Sequence, residues 1–222
     1  MKYIITPKQY KLLKEEEQEV LHIPSIDLFG GWDNLQEFLK HRGNPPYLFN
    51  GDLDLFDTPI KSLGSLTSVR GDLDLRNTPI ESLGDLTSVG GDFMLHGVQI
   101  KSLGNLTSVG GFLDLRGTPI KSLGNLTSVG DFLSLRHTPI ESLGNLRSVG
   151  ETLYLENTPI KSLGNLRSVG KNLNLFRAPI KSLGNLTSVG GDLNLERTPV
   201  SKKYSKEQIR KMVDVGGEIY FQ

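Results

Sequence analysis

Few residues in this chain have the type and spacing that chemistry needs. There is no cysteine, which excludes disulfides, thiolate metal sites and a cysteine nucleophile. The histidines are His22, His41, His96 and His137. The last two fall two repeats and one column apart in a twenty-residue periodicity, so their backbones are separated by roughly 10 Å, too far for one shared metal ion. Ser62, Ser82, Ser102 and their equivalents recur, but no histidine and acid recur with them at converging distance, and a turn serine of this kind satisfies backbone. The sequence therefore predicts no enzyme activity, no cofactor and no metal. Twenty-five basic side chains balance twenty-five acidic ones, so no global field draws the chain to nucleic acid or membrane. One turn column, Lys61, Glu81, Lys101, Lys121, Glu141, Lys161 and Lys181, with Arg147 and Arg167 nearby, is mildly basic. It lacks the interleaved aromatics that nucleic-acid binding would use.

These residues must be positioned by a repeat. Between Gly51 and Thr198 the chain restates one phrase every twenty residues without insertion or deletion, as in "GDLDLRNTPIESLGDLTSVG" at 71–90. Leu73 and Leu75 mark an apolar-x-apolar step at strand period, repeated in eight copies, and Ile80, Leu83, Leu86 and Val89 complete the inward set. Such a period specifies a solenoid whose coils bury their core only by stacking. The fold expected is a β-solenoid with a parallel sheet of about eight short strands. Its return segments should be extended or 3₁₀, since twenty residues leave no room for a long helix. Pro79 ends the strand ladder. Gly84 and its equivalents suit a positive φ or a close approach between coils.

The stretch "LDLRNTPIESLGDLTSV" resembles a leucine-rich repeat of a short type, L-x-x-L-x-L-x-x-N-x-L, with Leu73, Leu75, Thr78 and Ile80 on the last four marked positions. The likeness covers about residues 51 to 200. Thr stands where that family has Asn, and the first leucine is displaced to Val69. "SVGGDLDL" is also similar to the coil of receptor L domains, so an open horseshoe and a closed β-helix-like section are both compatible with the residues. The whole chain, with "YIITPKQYKLL" and "SKKYSKEQIRKM", resembles uncharacterised repeat proteins of bacteriophages and marine microbes, which implies a phage or viral setting and no particular activity.

Two stacked columns invite ligands. Asp52, Asp72 and Asp92, beside Asp54 and Asp74, resemble a calcium β-roll, but the second-position glycine of that motif is missing and the period is twenty. Thr58, Thr78, Thr118, Thr138, Thr158 and Thr198 could match an ice lattice. They occupy the ladder position, though, where the side chain turns inward to bond a neighbouring coil, and Val98 and Ala178 break the column. Asn105, Asn125, Asn145, Asn165 and Asn185 read as a stacked amide ladder. The Asn-Leu-Thr tripeptides at 105, 125 and 185 match the glycosylation pattern as a by-product of the repeat.

The columns that vary face outward on the strands. They include Met94, His96, Phe112, Asp114, Arg116, Phe132, Arg136, Tyr154, Glu156 and Phe176. Aromatics clustered mid-sheet and flanked by arginines are what protein-binding hot spots are made of. The function expected is non-enzymatic binding of a protein partner through this face, with membrane excluded and nucleic acid disfavoured as partners. A structural or virion-associated scaffold that self-associates is the first alternative, and calcium or carbohydrate binding the second.

Residues 1–47 break the period and read as a helical N-terminal cap. Thr6-Pro7-Lys8-Gln9 opens a helix through about His22, and Asp33-Asn34-Leu35-Gln36 opens a second that stops at Gly43. Residues 48–200 are the solenoid, with its last coil incomplete. Residues 201–222 form a C-terminal cap, in which Ser205-Lys206-Glu207-Gln208 opens a helix to about Val213 and "GGEIYF" adds a last strand. The three segments make one structural domain. There is no secretory signal pattern and no long apolar stretch, so a cytoplasmic or virion-associated location is expected.

Overall fold

A computed structural model of the chain describes residues 20–221 and shows a parallel β-solenoid with two sheets. Strand alternation sends Leu73 and Leu75 into the interior, and the strand Leu73–Asp74 pairs in parallel with Leu53–Asp54 on one side and Phe93–Met94 on the other. Nine such strands form the first sheet, the ninth being Ile219–Tyr220 from the expected C-terminal segment. The return segments hold a second sheet of ten strands. It begins at Leu21–Ile23 and Tyr47–Phe49, passes through the Ser-Val pairs such as Ser88–Val89, and finishes at Asp214–Val215. Isolated parallel bridges, Ser62 to Ser82, Ser122 to Ser142 and Ser162 to Ser182, mark a third side. The coil is therefore closed and not an open horseshoe.

The inward columns fill it. Leu73, Leu75, Ile80, Leu83, Leu86 and Val89 are all buried, as are their equivalents in the other coils. The "SVG" glycine is compelled by packing, since a Cβ on Gly110 would fall 2.0 Å from Gly90 O and one on Gly130 1.9 Å from Gly110 O. The "SLG" glycine has the positive φ expected of it, for example 59° at Gly84. Its amide donates to the turn serine, Gly84 N to Ser82 Oγ at 3.0 Å. The threonine column is buried from Thr78 to Thr198 and half-buried at Thr58, which removes it from any lattice-matching face. Its bond is also not the one expected: Thr78 Oγ1 donates to Leu75 O at 2.7 Å in its own coil, closing the turn three residues back instead of bridging to a neighbour.

At the N-terminal end, helix α1 (Trp32–Lys40) matches the second expected helix and seals the core with Trp32, Leu35 and Leu39. The start of the first expected helix, at Thr6, lies outside the described residues. Its predicted end is wrong: Leu21–Ile23 is a strand paired with Tyr47–Phe49. Pro24 biases Ile23 to extended backbone, and Leu21 and Ile23 are fully buried there. At the other end, α2 (Pro199–Lys203) is capped by Thr198 and α3 (Lys206–Met212) by the full Ser205/Gln208 capping box, with Ile209 buried. No helix among the described residues is long and apolar enough to cross a membrane.

Candidate functional site

The outward side of the nine-stranded sheet shows what the repeat asks of each column, and where it stops asking. In the Asp52 column the carboxylate serves the backbone of the next coil. Asp52 Oδ1 accepts from Asp72 N at 2.9 Å, Asp72 Oδ1 from Asp92 N at 2.7 Å and Asp92 Oδ1 from Phe112 N at 2.9 Å. Asn172 and Asp192 resume the pattern toward Asp192 N and Glu218 N, each at 2.8 Å. In the Asp54 column the side chain accepts from its own i+2 amide, as Asp54 Oδ1 does from Phe56 N and Asn174 Oδ1 from Phe176 N. The first ties one coil to the next, and the second is turn chemistry. Oδ1 of each of Asp52, Asp72 and Asp92 is thus spoken for by backbone, and the described residues contain no group of three or more histidines and acids placed to hold a metal ion.

The two columns give up this role in the middle of the sheet, jointly in the coils of Phe132 and Thr152, while Asp114 Oδ1 still accepts from Arg116 N. Phe112, Phe132 and Thr152 replace the first acceptor, and Ser134 and Tyr154 the second, with Met94 an earlier break. A third column changes in step. Gly71, Gly91, Gly111, Gly191 and Gly217 follow Asp52, Asp72, Asp92, Asn172 and Asp192, and a Cβ on any of them would lie 2.0–2.3 Å from the Oδ1 below it. Where Phe112, Phe132 and Thr152 remove that oxygen, the positions above become Asp131, Glu151 and Lys171. These three interact. The Lys171 ammonium, and then the Asp131 carboxyl, hold Glu151 below the usual carboxylate range, while the hydrogen bond to Glu151 pushes Asp131 above it.

The predicted site residues divide into groups. Phe112 and Phe132 are half-buried and stacked, with centroids 4.6 Å apart and planes 6° apart. Tyr154 meets Phe132 edge-on at 6.4 Å. Arg136 lies over the Tyr154 ring at 4.0 Å and pairs with Glu156. Asp114 is buried at 7 % exposure and holds the exposed Arg116 in a bidentate pair, Nε to Oδ1 at 2.9 Å and Nη2 to Oδ2 at 2.6 Å. Met94 is half-buried beside Asp74 and Asp114, and exposed His96 lines a shallow cleft with Phe56 and Arg76. Phe176 stands apart, with Arg177 and Arg197 over its ring at 5.0 and 5.6 Å. The structure thus joins Phe112, Phe132, Tyr154, Arg136 and Glu156 into one patch and leaves Phe176, Met94 and His96 outside it.

The aromatics are less exposed than their outward position implies, because they cover one another. Ser134, in register between Asp114 and Tyr154, is 3 % exposed, its hydroxyl without a hydrogen-bond partner. Column variation places Ser134 on the outward face without marking it as buried, and it leaves out the charged triad. The signal that finds them is the joint loss of Asp or Asn and, nineteen residues later, of Gly.

A long open groove of about 920 Å³ runs along the ten-stranded sheet, floored by serine, valine and glycine. Comparison with protein-family models, curated proteins and solved structures found no match for this chain.

Proposed function

We propose that the chain is a non-enzymatic binding module of leucine-rich-repeat type that recognises a protein partner through the patch of Phe112, Phe132, Tyr154 and Arg136. One observation carries the reading. Two adjacent coils, those of Phe132/Ser134 and Thr152/Tyr154, give up both backbone-satisfying columns of the sheet, whereas every other coil keeps at least one, as Asp92 and Asp114 do. Phe132 N, Thr152 N and Asn172 N have no carboxylate or amide acceptor of the kind that serves Asp72, Asp92 and Phe112. The arginines of the face are already neutralised by Asp114 and Glu156, so the complementary surface is apolar or aromatic with a polar rim and not an acidic one. That pairing also argues against phosphate as the target.

The test is the double variant Phe132→Ala/Tyr154→Ala. A partner captured by the native chain should be lost with the variant, the melting temperature should stay within a few degrees, and binding should slow amide exchange across residues 112–156. A melting temperature that falls as far as for an interior leucine variant would make these rings part of the core and sink the proposal. Self-association through the same face, as in a scaffold or virion component, would instead appear as concentration-dependent sedimentation that the double variant abolishes.

A further inference from the structure

The two ends of the solenoid carry complementary features. Within the ten-stranded sheet each valine carbonyl accepts from the next coil: Gly190 N–H donates to Val169 O and Gly216 N–H to Val189 O, each at 2.9 Å. The carbonyl two residues further on does the same, with Gly191 N to Lys171 O at 2.8 Å and Gly217 N to Gly191 O at 2.9 Å. In the last described coil the equivalent acceptors are Val215 O and Gly217 O. Arg210, on α3, fills both: Nη1 donates to Val215 O and Nη2 to Gly217 O, each at 2.7 Å. Its rigid two-donor fork stands where the two amides of a further coil would stand.

At the opposite end, Ile23 pairs with Phe49 and Phe49 with Val69, so Pro24, Asn50 and Arg70 share the column that follows. Asn50 N donates outward to Ile23 O and Arg70 N to Phe49 O, both at 2.9 Å. Pro24 occupies that donor position in the outermost described strand, is exposed, and has no amide hydrogen to give.

We propose that Arg210 and Pro24 are paired stops against axial addition of a second copy of this chain. Arg210 occupies the acceptors that a following coil would need, and Pro24 lacks the donor that would meet Val215 O. A parallel ladder with open edges templates its own extension, and natural sheets block this with cationic side chains and proline at the edge. The solenoid is thereby kept to finite length and any partner is directed to its sides. This inference does not rest on the binding reading above.

The experiment is sedimentation velocity on the full chain from low to high micromolar concentration. It compares the native protein, Arg210→Ala, Pro24→Ala, the double variant, and Arg210→Lys in the Pro24→Ala background, with far-UV circular dichroism confirming that each is folded. The native chain and both single variants should remain monomeric, because one stop survives in each. The double variant should form open-ended species whose size grows with concentration, and the lysine variant, able to cover only one carbonyl at a time, should grow less. Adding Phe132→Ala and Tyr154→Ala to the double variant should leave this growth unchanged, since the contact is axial. Axial growth of the native chain, a double variant that stays monomeric whether its last coil is ordered or frayed, or growth that disappears with the aromatics would each overturn the proposal.

Discussion

Replacing Gly91 by alanine tests whether the three outward columns are coupled as the geometry requires. Gly91 has no left-handed φ to defend, so the cost arises from contact alone. The new Cβ would meet Asp72 Oδ1 at 2.1 Å, with Gly71 C at 2.9 Å behind it. Expelling the carboxylate breaks its 2.7 Å bond to Asp92 N; for a half-exposed charged acceptor that loss is about 1.5 kcal/mol. Pressing the methyl against the remaining backbone adds about 1.5 kcal/mol, for a total of about 3 kcal/mol in Gly91→Ala. Asp72→Ala alone loses only the hydrogen bond, about 1.5 kcal/mol. With the carboxylate already gone, the methyl meets only backbone that adjusts as it does beneath Asp131, so the double variant should lose about 2.5 kcal/mol against a sum of about 4.5, a coupling of about 2 kcal/mol. Urea unfolding followed by far-UV circular dichroism measures all three, provided the m-value is unchanged across the cycle. Additivity within about 0.5 kcal/mol would show that the glycine is not there because of the carboxylate.

Two further outcomes follow from the same structure. Thr118→Val removes the buried hydroxyl that bonds Leu115 O at 2.8 Å and leaves that carbonyl short of a donor; chemical denaturation should register a loss of about 1–2 kcal/mol, and no loss would mean that the turn is closed by backbone alone. In a carboxyl-resolved NMR titration Asp131 should release its proton at higher pH than an ordinary aspartate and Glu151 at lower pH than an ordinary glutamate, and Lys171→Met should lift the Glu151 midpoint. The signs oppose. Asp131, raised, contributes stability that is present at low pH and lost as pH rises through its folded midpoint. Glu151, lowered, contributes stability that is present above its usual range and lost as pH falls through its own. Both groups are partly exposed to solvent, so the net effect on unfolding should be small; a large acid-labile change assigned to this triad would refute the pairing.

The inward half of the fold was legible because burial repeats: Leu73, Leu75, Ile80, Leu83, Leu86 and Val89 recur at fixed spacing and stand for one interior. The capping box at Ser205 was legible because it is local. What escaped depends on neighbours twenty residues away. The second sheet contributes only Ser-Val to most coils, too short for any alternation to show, and exists because consecutive coils lie in register. The partner of the threonine hydroxyl is set by turn closure, which leaves no mark on spacing. Leu21–Ile23 follows a segment with helix signals and becomes a strand only because Tyr47–Phe49 lies beside it. On the candidate face, column variation pointed to Phe112, Phe132 and Tyr154 but gave no account of Asp114 or Glu156, whose place is fixed by the arginines they neutralise.

The link between Asp or Asn and the glycine nineteen residues later bears on how such a gene can change length. A duplication or deletion of twenty residues keeps every inward column in phase wherever it falls, so the interior tolerates any seam. The outer face does not. Loss of residues 111–130 would set Asp131 directly above Asp92, bringing a Cβ onto an oxygen that Gly111 now accommodates. Recombination is thus free among the coils that keep Asp and Gly, and restricted across the borders of the aromatic patch. Sterically, the patch moves most freely as a block of consecutive coils whose outer residues travel together.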